Sequence, residues 1–386
     1  MNRLSNPILK YAWGSRTAIA TIQGRPAPSA HPEAELWLGA HPAAPSRLGP
    51  VSLGEAIEAD PVGLLGADVL GRFGVRLPYL LKLLAAAEPL SLQAHPDADQ
   101  AATGFAAEEA AGLARDDPVR SYVDPYHKPE LLVAVDNFEA LCGFRAPEVS
   151  ASRLESLDVP ALAPVIAALR AGSTADRLRG AVEWLMSSPA DQRPQLVAAV
   201  ARAGGLPAEL ARRYPDDTGV VLALLLNHVR LQPGEAVWMP AGNLHAYLCG
   251  VGVEIMAASD NVLRGGLSPK HLDVPGLLQI LRYDVLDDPV RRPVSLGPGL
   301  CTWPVPAVEF SLCRADLTEA AEQGYGHVGL PGGGPRIVLC LDGRAALRAE
   351  SCAVELSAGE AAFVPATDGA VRASGTAILF QAHTPD

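Results

Sequence analysis

The chain has 386 residues, more than one hydrophobic core usually serves, so two or three domains are expected. Hydrophobic residues make up 49% of the chain and charged residues 19%, which excludes a disordered or fibrous protein and indicates a turn-rich globular one. The formal net charge of −12 argues against nonspecific binding of nucleic acid, so an anionic substrate would need a local basic pocket.

The predicted elements fall into three stretches along the chain. Between residues 77 and 135 the apolar runs LPYLLKLL, LSLQAH and ELLVAV predict buried strands, separated by an alanine-rich stretch that predicts a helix. Residues 147–217 show helical spacing of Ala, Leu, Arg and Glu, which predicts an all-helical insertion. Short strands punctuated by proline and glycine are predicted again after residue 217.

A short internal repeat links the second group of strands to the end of the chain. GEAVWMPA at residues 234–241 returns as GEAAFVPA at residues 359–366, with five of eight positions identical. Two related β-barrels are therefore predicted. The second copy has no histidine where the first has His245, so we expect function to concentrate in the first barrel.

Polar side chains alternate along two of the predicted strands. In SLQAH, a period of two sends Ser91, Gln93 and His95 to one face. In HKPELLV, the same parity places Lys128 and Glu130 on a common face, and the intervening proline suits a barrel edge or mouth. Both polar faces are expected to look into a cavity.

A third segment supplies a further candidate metal ligand. Gly234, Pro240, Gly242 and His245 have a spacing that resembles the second signature motif of the cupin superfamily, in which the histidine binds metal. The candidate ligands are therefore two imidazoles, one carboxylate and one amide: Gln93, His95, Glu130 and His245. This set suits one Zn²⁺ per chain or a similar divalent ion. With a single carboxylate the site keeps a net positive charge, so the ion can act as a Lewis acid.

Other histidines and the cysteines are assigned no chemistry. Six histidines show no paired carboxylate at ligand spacing and are not predicted to bind metal: His31, His41, His228, His271, His327 and His383. The six cysteines form no C-x-x-C pair, which predicts buried free thiols and a cytoplasmic protein. No apolar stretch approaches the ~20 residues that span a bilayer, so no membrane contact is expected.

Blocks along most of the chain resemble one enzyme family. They follow one another in the order typical of type I mannose-6-phosphate isomerases, from YAWGS at Tyr11 to a segment near Leu281: ELWLGAHPAAPS, LPYLLKLL, LSLQAHPD, YHKPELLVA, FEALCGFR and AGNLHAYLCGVGVEIMAASDNVLRGGLSPKHLDV. The sequence after Val290 matches only loosely, and Cys249 stands where many cupins have asparagine.

The resemblance implies a fold and its boundaries. It implies a mainly β chain with helices (α+β), in which two cupin jelly-roll β-barrels carry an inserted helical domain. The predicted boundaries are 1–146 with 218–285 for the catalytic barrel, 147–217 for the insertion and 286–386 for a second barrel without a metal site.

The resemblance also implies site residues and a substrate. It makes Gln93, His95, Glu130 and His245 the zinc ligands, in agreement with strand parity. Arg264 is implied as the active-site arginine, with Ser91 and Lys270 as contacts of the substrate phosphate. Four further residues are implied to line the sugar site: Trp13, Glu35, Tyr247 and Asp260. The expected partner is a sugar phosphate, and a monomer is expected.

The implied reaction interconverts mannose 6-phosphate and fructose 6-phosphate through a cis-enediol, which requires a base, an electrophile and a grip on the phosphate. We expect zinc to polarise the C1 and C2 oxygens, Arg264 to stabilise developing negative charge, and Lys128 or Glu254 to move the proton. The alternative for Lys128 is pairing with Glu130 or binding phosphate. The alternative for Arg264 is a loop ion pair, although Gly265-Gly266 would let the backbone approach a ligand closely.

Two other classes of protein compete with an isomerase. A cupin oxygenase would hold iron with two histidines and a carboxylate, but the glutamine ligand argues against it. A binding protein without chemistry is disfavoured because Lys128, Arg264 and all four ligands are present. Lys82 is an isolated charge in an apolar strand, so we expect it to face the cavity or a carboxylate.

Overall fold

The computed structural model describes residues 1–385, and up to residue 144 it alternates short strands with four helices. The elements are β1 (Asn2–Leu4), β2 (Ile8–Leu9), α1 (Ala18–Ile22), β3 (Glu35–Leu38), β4 (Arg47–Leu48), β5 (Val51–Ser52), α2 (Leu53–Ala59), α3 (Pro61–Phe73), β6 (Tyr79–Ala86), β7 (Leu92–Ala94), α4 (Ala98–Ala110), β8 (Glu130–Ala134) and β9 (Phe138–Phe144). The three predicted strands correspond to β6, β7 and β8, and the predicted helix between them to α4, so these predictions are confirmed.

Helices follow from residue 147. They are α5 (Pro147–Glu155), α6 (Ala163–Arg170), α7 (Thr174–Met186), α8 (Arg193–Ala201), α9 (Gly205–Arg213) and α10 (Gly219–Leu222). The longest, α7, begins with a capping box between Ser173 and Asp176 and buries Leu178, Val182 and Leu185 on one face. The helical character of residues 147–217 is thus confirmed, while their status as a separate domain stays a prediction.

Strands return after α10. The elements are β10 (Leu226–Leu231), β11 (Ala236–Met239), β12 (His245–Ala257), β13 (Leu263–Gly266), α11 (Val274–Ile280), β14 (Val290–Arg291), β15 (Val294–Gly297), β16 (Leu300–Thr302), β17 (Ser311–Asp316), α12 (Leu317–Glu322), β18 (Val328–Leu330), β19 (Arg336–Arg348), β20 (Ala353–Ser357), β21 (Ala361–Val364) and β22 (Val371–His383). Three 3₁₀ turns complete the description: Pro160–Leu162, Ala223–Leu225 and Ala366–Asp368.

Two large antiparallel sheets carry most strands, so the α+β fold class is as predicted. The first has the order β14-β11-β8-β12-β6-β3-β2, and β7, β9, β10 and β13 attach to it through β12. The second has the order β1-β21-β19-β22-β17-β16-β15, with β18 on β22 and β20 on β19. The first sheet positions the site, because β12 lies between β6 and β8 and also pairs with β7 and β9.

Two short strands cross the predicted boundary between the barrels. β1, at the N-terminus, pairs with β21 of the second sheet, and β14, after residue 286, pairs with β11 of the first. One apolar cluster contains Leu81 and Val253 of the first sheet together with Ile337 and Phe363 of the second. The two sheets thus share an interface and each holds a short strand from the other predicted barrel, while the boundaries at 146 and 286 stay predictions.

The internal repeat corresponds to one turn built twice. Gly234 N donates to Ala134 O at 2.9 Å, and Gly359 N donates to Cys340 O at 2.8 Å. Ala134 N and Cys340 N in turn each donate to the glutamate carbonyl that follows the glycine, both at 2.9 Å. This match in hydrogen bonding makes β8 and β19 equivalent strands. Four residues before Ala134 lies Glu130, and four residues before Cys340 lies Arg336.

Among the described residues, no helix is both long enough and hydrophobic enough to cross a membrane. All six cysteines are free, but Cys249 is exposed on β12, and Cys301 and Cys352 are half-buried. The prediction of buried thiols is therefore wrong for these three. Cys249 lies where the pairing of β12 with β9 shifts register, which turns its side chain outward.

Candidate active site

Three predicted metal ligands converge inside the first sheet. His95 Nε2 lies 3.3 Å from Glu130 Oε1, and His245 Nε2 lies 3.3 Å from Glu130 Oε2. One ligand atom of each residue lies within 4.8 Å of the others, and all three side chains are almost fully buried. They come from the end of β7 and the first residues of β8 and β12, which the pairing of β12 with β7 and β8 brings together.

Backbone carbonyls orient both imidazoles. His95 Nδ1 lies 2.6 Å from Asn261 O, and His245 Nδ1 lies 3.0 Å from Asn243 O. A carbonyl only accepts, so each ring carries its proton on Nδ1 and turns the lone pair of Nε2 toward the carboxylate. Such contacts fix the tautomer that metal-binding histidines need. The sequence gives no local signal for Asn261, whose side chain anchors the segment from Val123 to Tyr126.

The hydrogen bonding and the charges of the three donors suit a metal ion. His95 Nε2 and Glu130 Oε2 are buried without a hydrogen-bond partner among the described residues, an arrangement that is costly unless an ion takes their lone pairs. Burial lowers the pKa of His95 to about 4, so its imidazole is neutral. Burial opposes ionisation of Glu130, but its charged surroundings, with Lys128 Nζ at 3.3 Å, hold its pKa well below the usual value. Neutral imidazoles and an ionised carboxylate are the ligand states that zinc binds.

Gln93 lies beside the three donors. Its Nε2 is 3.4 Å from His245 Nε2. Rotating the amide by half a turn would direct Oε1 to the same place, because the oxygen and nitrogen ends of the group have nearly the same shape. Gly242 of the histidine motif has φ +75°, and a Cβ there would lie 2.6 Å from the side chain of Arg282. The motif therefore needs glycine at this turn, which delivers His245 to the start of β12.

A cavity of about 1390 Å³ opens over these donors. All predicted site residues except His95 and His245, which lie buried beside it, line this cavity: Trp13, Glu35, Ser91, Gln93, Lys128, Glu130, Tyr247, Glu254, Asp260, Arg264 and Lys270. The structure thus brings together the whole set named from the sequence. The roles assigned to its members stay predictions.

The isolated charge of Lys82 lies between two carboxylates. Its Nζ is 3.6 Å from Glu35 Oε2 and 3.3 Å from Glu254 Oε2, and all three residues are buried. Although burial opposes its charge, the two glutamates raise the pKa of Lys82, so it stays an ammonium. Trp37 completes the cluster by donating from Nε1 to Glu35 Oε2 at 2.6 Å. The prediction that Lys82 faces a carboxylate is confirmed.

Glu254 is held from its other side by Tyr247. The Tyr247 hydroxyl donates to Glu254 Oε1 at 2.7 Å. Burial raises the pKa of Glu254, and Lys82 opposes that rise. Lys128 Nζ, by contrast, lies 3.3 Å from the metal-donor carboxylate of Glu130. The two candidate bases therefore occupy different electrostatic surroundings.

The cavity wall also carries two cations without carboxylate partners. Within residues 1–385 no carboxylate lies within 4.0 Å of the charged groups of Arg264 or Lys270. Burial lowers the pKa of Arg264, and burial together with the charge of Arg264 lowers the pKa of Lys270. An anion between them would relieve both effects.

The interpretation of Gly265-Gly266 needs correction. Arg264 lies on β13, not in a loop, and the glycines approach protein, not ligand. At Gly266, with φ +133°, a Cβ would lie 2.7 Å from Asp217 Oδ1 and 2.8 Å from the Cα of Gly219. These glycines let the end of the helical stretch pack against β13, which carries Arg264 at the cavity wall.

Sequence reasoning missed the contribution of the helices to the cavity. Arg193, Arg213 and Asp217 all line it. Arg213, at the end of α9, forms an ion pair with Glu88 in the loop between β6 and β7. No pattern in the helices distinguishes these side chains from other solvated charges. Only the tertiary fold turns them toward the donors.

A buried His-Glu-His donor set under a large cavity, on the first of two antiparallel sheets, defines a metal-dependent enzyme of the double-barrel class. A family model described as the catalytic domain of type I phosphomannose isomerase matches residues 1–147. The chain belongs to the mannose-6-phosphate isomerase family.

Relatives match over nearly the whole length. The mannose-6-phosphate isomerase of Salmonella typhimurium is 38% identical, with 99% of this chain and 99% of that protein covered. The mannose-6-phosphate isomerase of Saccharomyces cerevisiae is 30% identical, with 94% of this chain and 93% of that protein covered. A crystal structure of zinc-bound mannose 6-phosphate isomerase has a TM-score of 0.90 at 37% identity and covers 100% of this chain and 99% of that one.

Proposed function

We propose that this protein is a zinc-dependent aldose–ketose isomerase that interconverts D-mannose 6-phosphate and D-fructose 6-phosphate through a cis-enediol. The observation that carries the proposal is the convergence of His95, Glu130 and His245 on one point beneath a cavity with unpaired cations. Membership of the isomerase family supports the choice of substrate.

The proposed zinc ligands are Gln93, His95, Glu130 and His245. The unpartnered Nε2 of His95 and Oε2 of Glu130 support this assignment. When bound, the ion would supply a Lewis acid for the C1 and C2 oxygens of the sugar. Glu130 would then be the only anion among the ligands, and its contact with Lys128 would orient that ammonium toward the same oxygens.

We propose that the phosphate binds to Lys270 and Ser91, as the resemblance implies, and that Arg264, implied as the active-site arginine, contacts it as well. The absence of carboxylate partners for both cations in residues 1–385 supports this role, because an anionic group would satisfy them. Ser91 lines the same cavity two residues before Gln93. Binding of the phosphate there would hold the sugar carbons at a constant distance from these side chains. The sugar itself would contact Trp13, Glu35, Tyr247 and Asp260.

Glu254 is the base that we propose, and Lys128 a proton donor. The base must take the proton from C2, so that its electron pair forms the C1–C2 double bond while the C1=O π pair moves to O1, which gains a proton. The proton taken from C2 is then returned to C1 as O2 loses its proton and becomes the carbonyl oxygen. Paired with Lys82 and bound by Tyr247, Glu254 can act as a carboxylate that accepts a proton. Lys128 Nζ, 3.3 Å from Glu130 Oε1, can stabilise negative charge on the substrate oxygens.

The test of the proposal combines metal analysis with turnover. Purified protein would be loaded with zinc or with iron, and fructose 6-phosphate formation from mannose 6-phosphate would be followed in a coupled assay. We expect turnover with zinc and its loss on chelation. Protein that holds stoichiometric zinc and does not turn over mannose 6-phosphate would contradict the isomerase proposal.

Replacing Arg264 by Gln is expected to lower kcat/KM for mannose 6-phosphate by about 10- to 100-fold, the effect of losing a charged hydrogen bond of ~1.5–3 kcal/mol. Because Lys270 is more exposed, Lys270→Gln is expected to cost less and to act mainly through KM. Steady-state kinetics with mannose 6-phosphate and with unphosphorylated mannose would check this. An equal loss with both sugars would show that the arginine does not act through the phosphate.

Tyr247→Phe tests Glu254 as the base. The tyrosine hydroxyl donates to Glu254 and lowers its pKa, so its removal should raise that pKa. A base must be ionised to work, so the acidic limb of the pH profile of kcat/KM should move to higher pH. Tyr214→Phe is the matched control, because Tyr214 lines the same cavity and has no hydrogen bond to Glu254 among the described residues. An unmoved acidic limb in Tyr247→Phe would exclude Glu254.

We further propose that residues 286–386 hold no metal. Arg336 occupies in β19 the place that Glu130 has in β8, and its guanidinium donates to Gly332 O at 2.9 Å and to Gly369 O at 2.5 Å. A buried cation at the equivalent place opposes binding of another cation. The monomeric state and the cytoplasmic location stay predictions, the latter supported by six free cysteines.

A further inference from the structure

A second cavity, of about 330 Å³, lies where three parts of the chain meet. Arg145 and Arg153 line it from the end of β9 and from α5, and His228 lines it from β10. Asp287 contributes from the segment before β14. None of its lining residues within 1–385 also lines the large cavity, so it is a separate space.

Two arginines face this cavity without carboxylate partners. Arg145 is buried, and its Nε and Nη2 both donate to Leu226 O, which leaves Nη1 without a partner among the described residues. Arg153 has no carboxylate within 4.0 Å in residues 1–385. Burial, and next the charge of Arg153, lower the pKa of Arg145 to about 10. The two cations therefore repel one another in a partly desolvated place.

The start of helix α5 faces the same space. Its N-cap is Ala146, which has no side chain to accept from the first amides, and both Ala146 and Val149 line the cavity. Pro147 has no N–H and Val149 N donates to Ala146 O at 3.0 Å, so Glu148 N is the amide left free in this turn, and together with the helix dipole it favours an anion at this end. The other polar groups are already engaged or negative. His228 Nε2 lies 2.7 Å from Glu139 Oε2. Asp287 is the only carboxylate among the described residues that line the cavity.

We propose that this cavity binds a small phosphate-bearing metabolite, with Arg145 and Arg153 holding the phosphate. Guanidinium groups match phosphate oxygens in pairs, and a volume of about 330 Å³ suits a metabolite of a few carbons. The site would adjoin the metal donors through β9, because Cys142 pairs with His245 three residues before Arg145. The bound molecule would join α5, β10 and the segment before β14.

Inorganic phosphate is the probe, titrated by calorimetry into the zinc-loaded full chain. Arg264→Gln/Lys270→Gln serves as the background, so that binding in the large cavity is weakened. We expect one saturable phosphate site per chain to remain. Arg153→Gln, an exposed position, should weaken this site about 10- to 100-fold, since a charged hydrogen bond is lost. Asp287→Asn should tighten it several-fold by removing the nearby negative charge.

Arg202→Gln is the matched control, because it removes the same charge from an exposed position directly after α8, outside both cavities. It should leave phosphate binding unchanged. Absence of saturable binding in the background variant would overturn the proposal, as would equal weakening by Arg153→Gln and Arg202→Gln. Arg153→Gln in the otherwise unchanged chain should keep its isomerase rate, so this outcome is independent of the proposed function. Malonate, a dicarboxylate, should bind more weakly than phosphate, and tighter malonate binding would contradict the assignment to phosphate.

Discussion

Glu130→Ala is expected to lose zinc and isomerase activity together. The residue is the only anion among the proposed ligands, and its two oxygens each lie 3.3 Å from a histidine Nε2. Loss of an outer partner of a metal ligand already costs ~10–100-fold in affinity or rate, so loss of the ligand itself should exceed that range. Zinc content by elemental analysis and kcat/KM for mannose 6-phosphate would be measured on the same preparation.

Glu309→Gln is the matched control for this variant. Glu309 is another buried glutamate bound to a histidine, with Oε1 at 2.6 Å from His127 Nε2, but it lies outside the donor set. It should keep both zinc and rate. Glu130→Gln, which preserves the shape of the side chain, separates loss of charge from loss of packing. If Glu130→Ala lost its metal and retained its rate, zinc would have no part in the reaction.

Lys82→Met is expected to cost about 3–5 kcal/mol of unfolding free energy, because it leaves Glu35 and Glu254 buried without their cation. Methionine fills most of the lysine volume, so the effect reports charge and not a cavity. Urea unfolding would measure it. Activity should also fall, since Lys82 keeps Glu254 ionised through their 3.3 Å contact.

The cost of Lys82→Met should depend on pH. Burial raises the pKa of Glu254 and Lys82 lowers it, so the variant should have a still higher pKa at Glu254. A carboxyl whose folded pKa lies above its unfolded pKa stabilises the fold at low pH and loses that contribution as pH rises. The variant should therefore be least destabilised near pH 5 and most destabilised at pH 8.

Two further variants test the cause. Lys10→Met, at an exposed position, should change stability by less than ~0.5 kcal/mol. Lys82→Met/Glu254→Gln should recover part of the loss, because one of the two stranded charges is gone. If the double variant were as unstable as the sum of the single ones, the carboxylates would not depend on Lys82.

Local pattern was enough to name the donors. A strand alternates its side chains whatever it pairs with, so SLQAH and HKPEL assign Gln93, His95 and Glu130 to polar faces before any partner is known. His245 was named by the resemblance of its motif to the cupin histidine motif, and Gly242, with φ +75°, meets a local requirement of the turn in that motif. The helical spacing of residues 147–217 likewise depends only on near neighbours.

The surroundings of those donors were decided by the tertiary structure. Lys82 meets Glu35 and Glu254 only because β6 lies between β3 and β12, an order that does not follow the chain. The carbonyl of Asn261 reaches His95, and Arg213 reaches the cavity rim, across long separations in sequence. The period-two alternation of a strand predicts on which side of the sheet a side chain lies. Its neighbours on that side depend on the pairing register of strands that are distant in sequence. The sequence by itself therefore determined the chemistry of the site, while the fold determined its electrostatics.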